Sequence, residues 1–231
     1  MHVPDGFLDG PTSLATAGVA TVAVAAALRG ARRELDDRTA PLAGLVAVFV
    51  FAAQMINFPV GAGTSGHLMG GVLAAVLVGP WTATLALTVV LIVQALAFAD
   101  GGLTAIGTNV TLIAVVAVWV GYAVFRLVQS ARPRSRRLIP FAAAVGALLS
   151  VPAAALAFTG LWAVGGAAPI DLGLLATTML GWHTLIGIGE AVITFLAVSA
   201  VMATRPDIVY AARHLTPTRE LQIRPSAQAA S

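Results

Sequence analysis

Cysteine and lysine are both absent from the 231 residues. Without cysteine there is no disulfide framework, no thiolate metal site and no cysteine nucleophile. Any bound metal must therefore be held by nitrogen or oxygen donors. Charge of either sign is scarce: 10% of residues are charged, against about 25% in soluble domains. G-x-x-x-x-G-K-[ST] does not occur, so the chain lacks the usual phosphate-binding loop for ATP. H-E-x-x-H and G-x-S-x-G are also missing, which disfavours a zinc metalloprotease and a serine nucleophile on a strand-to-helix turn. No inverted repeat of the secondary-transporter kind is visible. The first residues carry Asp5 and Asp9 and no positive charge, so a cleavable signal peptide is not expected.

Apolar residues are what the chain has in excess, at 58% with a mean hydropathy of +0.92. An integral membrane protein follows. Seven apolar stretches approach the ~20 helical residues that cross a ~30 Å bilayer core. They lie near 12–28, 41–58, 67–80, 81–99, 104–125, 139–160 and 176–203. Gly79-Pro80 separates the third, which is short, from the fourth. The net charge of +3 does not mark a nucleic-acid face, because the thirteen arginines fall into three clusters between and after apolar stretches. Arg29, Arg32, Arg33 and Arg38 follow the first stretch; Arg126, Arg132, Arg134, Arg136 and Arg137 follow the fifth; Arg205, Arg213, Arg219 and Arg224 follow the seventh. Seven crossings put all three clusters on one side, and the positive-inside rule makes that side cytoplasmic. The expected fold is an all-α, seven-helix transmembrane bundle with its N-terminus outside and its C-terminus in the cytoplasm. Residues 1–204 form the bundle. Residues 205–231 turn polar and form a cytoplasmic tail, partly disordered at its end.

The sharpest chemical signal is the beginning of the chain. The amine of Met1, the backbone nitrogen of His2 and the Nδ1 of His2 can close two small chelate rings on one ion. These three nitrogens are nearly coplanar and leave one in-plane position, which a distant imidazole can fill. Four planar nitrogens suit Ni(II) or Cu(II). His67, at the end of the glycine-rich loop Pro59–Gly66, is the candidate fourth donor. Charge counting brings residues 1–11, 59–66, 100–103 and 161–175 to the same outer face, and His67 with them. Taken singly, each feature has a plainer reading. Met1-His2 is then a frayed end, the glycine loop a flexible connection, and His67 an interfacial polar residue.

Other polar residues stand in apolar surroundings. Gln94 and Asn109 either orient the metal loop or cross-link helices. Asp100, in Asp100-Gly101-Gly102, either belongs to the site or caps the next helix. His183 and Glu190 are seven apart, two helical turns on one face. Glu190 is the one acidic side chain well inside a spanning stretch. It is either functional or a hydrogen-bonded structural group. His183 is a supporting partner, a transient ligand or a group bonding between helices.

These residues lie in recognisable runs: Met1-His2-Val3-Pro4-Asp5-Gly6-Phe7, Asn57-Phe58-Pro59-Val60 through Gly63-Thr64-Ser65-Gly66-His67-Leu68-Met69-Gly70-Gly71, Gly79-Pro80-Trp81, Val93-Gln94-Ala95-Leu96 through Phe98-Ala99-Asp100-Gly101-Gly102-Leu103-Thr104, and Trp182-His183 through Ile186-Gly187-Ile188-Gly189-Glu190. Over roughly residues 1–204 the chain resembles the NikM/CbiM family, the substrate-capture components of energy-coupling factor transporters for nickel and cobalt. The resemblance implies an N-terminus inserted into the bundle from outside. It also implies metal donors on Met1, His2 and His67. Asn57, Thr64, Ser65, Gln94, Asp100, Asn109, His183 and Glu190 become candidates for a supporting shell or a transport path. Val3-Pro4 differs from the Ile-Met-Glu version common in cobalt members, which favours nickel slightly. Implied partners are a membrane scaffold subunit, two cytoplasmic ATPases and a small auxiliary membrane subunit, in a bacterial or archaeal plasma membrane. The cargo is Ni(II) or Co(II), with no organic cofactor and no nucleic acid.

Two other classes compete with a non-enzymatic capture subunit. A self-sufficient carrier would use Glu190 as a proton site. A membrane metalloenzyme would need an open ligand position for water, which a closed four-nitrogen plane does not leave.

Overall fold

A computed structural model describes residues 2–36, 39–61 and 64–215. Met1, expected to supply a metal donor, lies outside the described residues, as do Asp37, Arg38 and the tail beyond Leu215. Thr64 is described as backbone only.

Among the described residues the regular structure is helical apart from one small hairpin. Helix α1 (Gly10–Ala31) starts where the Asp9 carboxylate accepts the amide of Thr12 at 2.8 Å, with Pro11 in the first turn. Helix α2 (Ala40–Gln54) likewise opens on a proline, Pro41. Strands β1 (Phe58–Gly61) and β2 (Thr64–Gly66) pair antiparallel, Phe58 opposite Gly66. They are followed by α3 (Gly71–Val78), α4 (Pro80–Phe98), α5 (Ile106–Ser130), α6 (Leu138–Gly165) and α7 (Leu172–Thr204). Within α5, Val110–Ala117 is wound as a π-helix.

The helical stretches number seven among the described residues, and they differ in length. Five helices (α1, α4, α5, α6 and α7) are long and apolar enough to cross a bilayer, and α2, with 15 residues, is shorter. The third stretch, expected to span at 67–80, is corrected most. Its helix has 8 residues, roughly 12 Å at 1.5 Å per residue, and all of them are buried. Backbone chemistry sets those limits. Gly70 at φ 73° and Gly79 at φ 98° bracket α3 in conformations that other residues rarely adopt. Helix α3 is the axis of the core, packed by α2, α4, α5, α6 and α7. Outward-facing Leu14, Val22, Leu96, Leu156, Leu185 and Leu196 are more than half exposed, as helices facing acyl chains require.

Two loop boundaries also move. The loop expected at 161–175 shrinks to 166–171, because α6 continues through the buried Trp162 to Gly165. At the other end, residues 206–215, placed in the tail by composition, form two 3-10 turns. Their Val209, Ala211 and Ala212 are buried against the bundle.

Candidate metal site

Residues 2–9 are threaded into the bundle. Asn109 holds Val3 from both sides. Its Oδ1 accepts the Val3 amide at 2.7 Å, and its Nδ2 donates to the Val3 carbonyl at 3.1 Å. The Gly102 amide donates to the same carbonyl at 2.9 Å. The Asp5 carboxylate accepts the Thr104 amide at 2.7 Å and the Leu103 amide at 3.2 Å. The Thr104 hydroxyl, backed by these amides, holds the Asp5 carboxyl below its ordinary value. Further along, Ala167 donates to the Phe7 carbonyl and Asp9 to the Gly165 carbonyl. The Phe7 ring meets the Trp162 ring edge-on. The segment, which turns at Asp5-Gly6, is thus held between the turn after α4 and the end of α6, with His2 and Val3 buried.

The receiving turn is built for close approach. Ala99 closes α4 in the left-handed region, and Gly101 follows at φ 93°. A Cβ on Gly102 would stand 2.4 Å from the Asp5 nitrogen, so only glycine lets the arm lie this near. Asp100 does not cap the next helix, whose N-cap is Ala105. Its carboxylate lies instead 2.9 Å from His2 Nδ1 and accepts a bond from Asn57 Nδ2 at 3.2 Å.

Two imidazoles meet here. The His2 and His67 rings stack with centroids 4.3 Å apart and planes 23° from parallel. Both residues are at most 5% exposed. The His67 Nδ1 is 2.8 Å from the Leu68 carbonyl. A carbonyl only accepts, so Nδ1 carries the proton and Nε2 presents a lone pair, the tautomer a metal ligand needs. His67 Nε2 and His2 Nε2 find no hydrogen-bond partner among the described residues. Burial lowers the His2 pKa and favours a neutral ring, against the opposing pull of the Asp100 carboxylate. Buried polar atoms without partners are costly, and here they cluster. Gln94, next to His2, has both amide atoms unpaired, and His183, within electrostatic reach of His67, has a free Nε2. The His183 Nδ1 is engaged by the Met179 carbonyl one turn back, at 2.8 Å. Among the described residues no three His, Asp or Glu side chains converge enough to hold an ion alone.

Glu190 sits below this pair. Its carboxylate oxygens accept the amides of Met69 at 2.8 Å and Gly70 at 2.9 Å. Gln54, buried in α2, donates to the Met69 carbonyl at 2.9 Å. Together they clamp the loop that carries His67. Above the pair a cavity of about 780 Å³ opens, lined by His2, Asp5, Asn57, Ser65 and Asp100 among others. Its two carboxylates favour an approaching cation.

Of the sequence candidates, His2, His67, Gln94, Asp100 and Asn109 converge directly. Asn57 and Ser65 lie at the cavity wall, and Glu190 and His183 beneath. Asp5 and Gln54 were not singled out from the sequence. Asp5-Gly6, read as a turn whose carboxylate can cap, was the available signal for the first. Gln54, a lone amide near the end of an apolar run, was the signal for the second.

A family model described as the cobalt uptake substrate-specific transmembrane region matches residues 2–208. A Haloquadratum walsbyi protein named for metal transport is 40% identical over 91% of this chain and 94% of its own length. A fused nickel transport protein of Rhodobacter capsulatus is 35% identical over 96% of this chain and 68% of its own. The crystal structure of a truncated transition metal transporter superposes with a TM-score of 0.81 at 31% identity, covering 88% of this chain and 99% of that one.

Proposed function

The chain belongs to the CbiM family of cobalt uptake substrate-specific transmembrane regions, and on that premise we propose that it captures Ni(II) or Co(II) for transport across the membrane. The Met1 amine, the His2 backbone nitrogen, His2 Nδ1 and His67 Nε2 form the donor plane. One observation carries the reading: two buried imidazoles stack at 4.3 Å, one with its tautomer fixed by a backbone carbonyl and its Nε2 unengaged. For His2 to chelate, Nδ1 exchanges its Asp100 contact for the ion, and Asp100 turns to the cavity. The amine and amide must lose protons on binding, so affinity falls as pH falls.

In this reading the cavity opens to the outside and the arginine-bearing end faces the cytoplasm of a bacterial or archaeal cell. The protein is a transport subunit, not an enzyme. ATP hydrolysis belongs to two cytoplasmic ATPases acting through a membrane scaffold subunit, with a small auxiliary membrane subunit beside them. A proton-coupled carrier using Glu190 is less well supported, because both oxygens of that carboxylate are engaged by the loop behind His67. Nickel titration of purified protein with a free N-terminus, against His67→Ala, tests the assignment. Tight one-to-one binding by the parent and its loss in the variant are expected. Retained affinity in the variant moves the fourth donor elsewhere.

A further inference from the structure

A second site lies at the opposite end of the bundle from His2. A cavity of about 470 Å³ opens between the end of α1, the start of α4 and the turn Tyr210–Leu215. Arg29, Arg33 and Arg213 line it. Among the described residues neither Arg29 nor Arg33 is ion-paired. Arg213 lies over the Tyr210 ring, 3.9 Å from its centroid, within electrostatic reach of Glu34. The one carboxylate in the wall, Glu34, is already used. It accepts the Thr82 amide at 2.7 Å, the Thr82 hydroxyl at 3.0 Å and the Trp81 amide at 3.2 Å, capping α4. Three formal positive charges against one negative leave +2 on the lining.

This basic cavity does not end in protein. It shares Ala26 and Trp81 with an apolar groove of about 580 Å³ on the flank of α1. The groove runs past Ala23 and Val22 to Gly18, with Trp119 on its far wall. From Ala26 to Gly18 is roughly 12 Å along a helix. The corner between the two spaces is constructed. A Cβ on Gly30 would fall 2.3 Å from the Trp81 ring, so the glycine admits the indole. Trp81 meets Trp119 edge-on at 4.3 Å, and Trp119 Nε1 donates to Thr84 at 3.1 Å. Tryptophans of this kind sit where headgroup meets acyl chain.

We propose that the two spaces together are a binding site for one anionic phospholipid, its phosphate among Arg29, Arg33 and Arg213 and one acyl chain along the groove of α1. The shape excludes a soluble anion as the natural occupant, because a free phosphate leaves the adjoining groove empty. A neutral phospholipid fills the groove but does not match the charge. The site is independent of metal capture.

Native mass spectrometry of the full chain in detergent, offered phosphatidylglycerol and phosphatidylcholine, tests this. Wild-type protein is expected to retain phosphatidylglycerol preferentially. Arg33→Gln with Arg213→Gln should weaken that retention by ~25-fold, from ~5-fold for each arginine near an anionic headgroup. Arg33→Lys keeps the charge and should retain most of it. Ala23→Phe fills the groove and should lower retention with every arginine in place. Size-exclusion profile and helical circular dichroism screen each variant for folding; if the double variant fails, Arg33→Gln alone is read. Equal retention of the two lipids, unchanged retention in the glutamine variants, or full displacement by millimolar inorganic phosphate would each overturn the proposal.

Discussion

Replacing Asn109 with alanine should weaken nickel binding without touching a metal donor. Asn109 is 1% exposed, and both ends of its amide are spent on Val3. In the variant the Val3 carbonyl still accepts from Gly102, but the Val3 amide loses its acceptor in a buried position. One buried orphan donor costs about 1–3 kcal/mol. That cost falls on docking of the arm, and undocked protein cannot present His2 beside His67. If capture requires the docked arm, apparent affinity falls with the docked fraction. At 1.4 kcal/mol per tenfold, the loss is ~5-fold to ~150-fold. Isothermal titration of protein with a free N-terminus reads it directly. Gln129→Ala serves as the control, since Gln129 is also buried but bonds the Arg132 and Ser135 carbonyls far from His2. It should lower thermal stability and leave nickel affinity alone. Affinity unchanged in Asn109→Ala, or lowered equally by Gln129→Ala, would refute the link between docking and capture.

Gly102→Ala should also dislodge the arm, because the new Cβ would overlap the Asp5 backbone; limited proteolysis should then cut near the N-terminus faster. Glu190→Gln keeps one acceptor oxygen and turns an amide donor toward the second N–H. One of the Met69 and Gly70 bonds is lost, and about 1–3 kcal/mol of unfolding free energy should go with it, seen in a melting curve with and without nickel. The Asp5 carboxyl sits below its ordinary value of 3.8, so its contribution to docking is present above that pH and is lost only as pH falls through the lower docked value. Between pH 8 and pH 5 it therefore stays constant. A decline of nickel affinity over that range should survive in Asp5→Asn, because it comes from reprotonation of the donor nitrogens.

How much of this was legible in the sequence depended on where each partner's signal lay. Arginine clusters mark one end of the bundle, and His2 and His67 are found together at the other. Polar residues in apolar runs, Gln94 and Asn109, turned up beside the arm; Asn109 is there because a buried amide finds partners, on Val3, whereas Gln94 keeps both amide atoms unpaired. Which partner Asn109 takes was not legible: Val3 offers only its backbone, and a backbone group leaves no trace in residue identity. The same holds for Glu190, whose acceptance of two amides fixes a loop 120 residues away. The third span misled because hydropathy counts residues and not dihedrals. Leu68 through Val78 are apolar throughout, yet Gly70 and Gly79 cut the helix to eight residues. The packed turns at 206–215 were hidden for a similar reason. Their anchors Val209, Ala211 and Ala212 are too few to show against a polar background. The π-helical segment after Asn109 has no period that a sequence reading separates from an ordinary helix.

The proposed chelate joins the leading amine and its neighbour His2 with His67 on one ion. Nickel titration of one preparation before and after acetylation of that amine tests it most directly, because every side chain stays in place. One tightly bound equivalent is expected before acetylation, with the absorption of a planar nitrogen-ligated Ni(II), and loss of both afterwards. Undiminished nickel binding by the acetylated protein would contradict it.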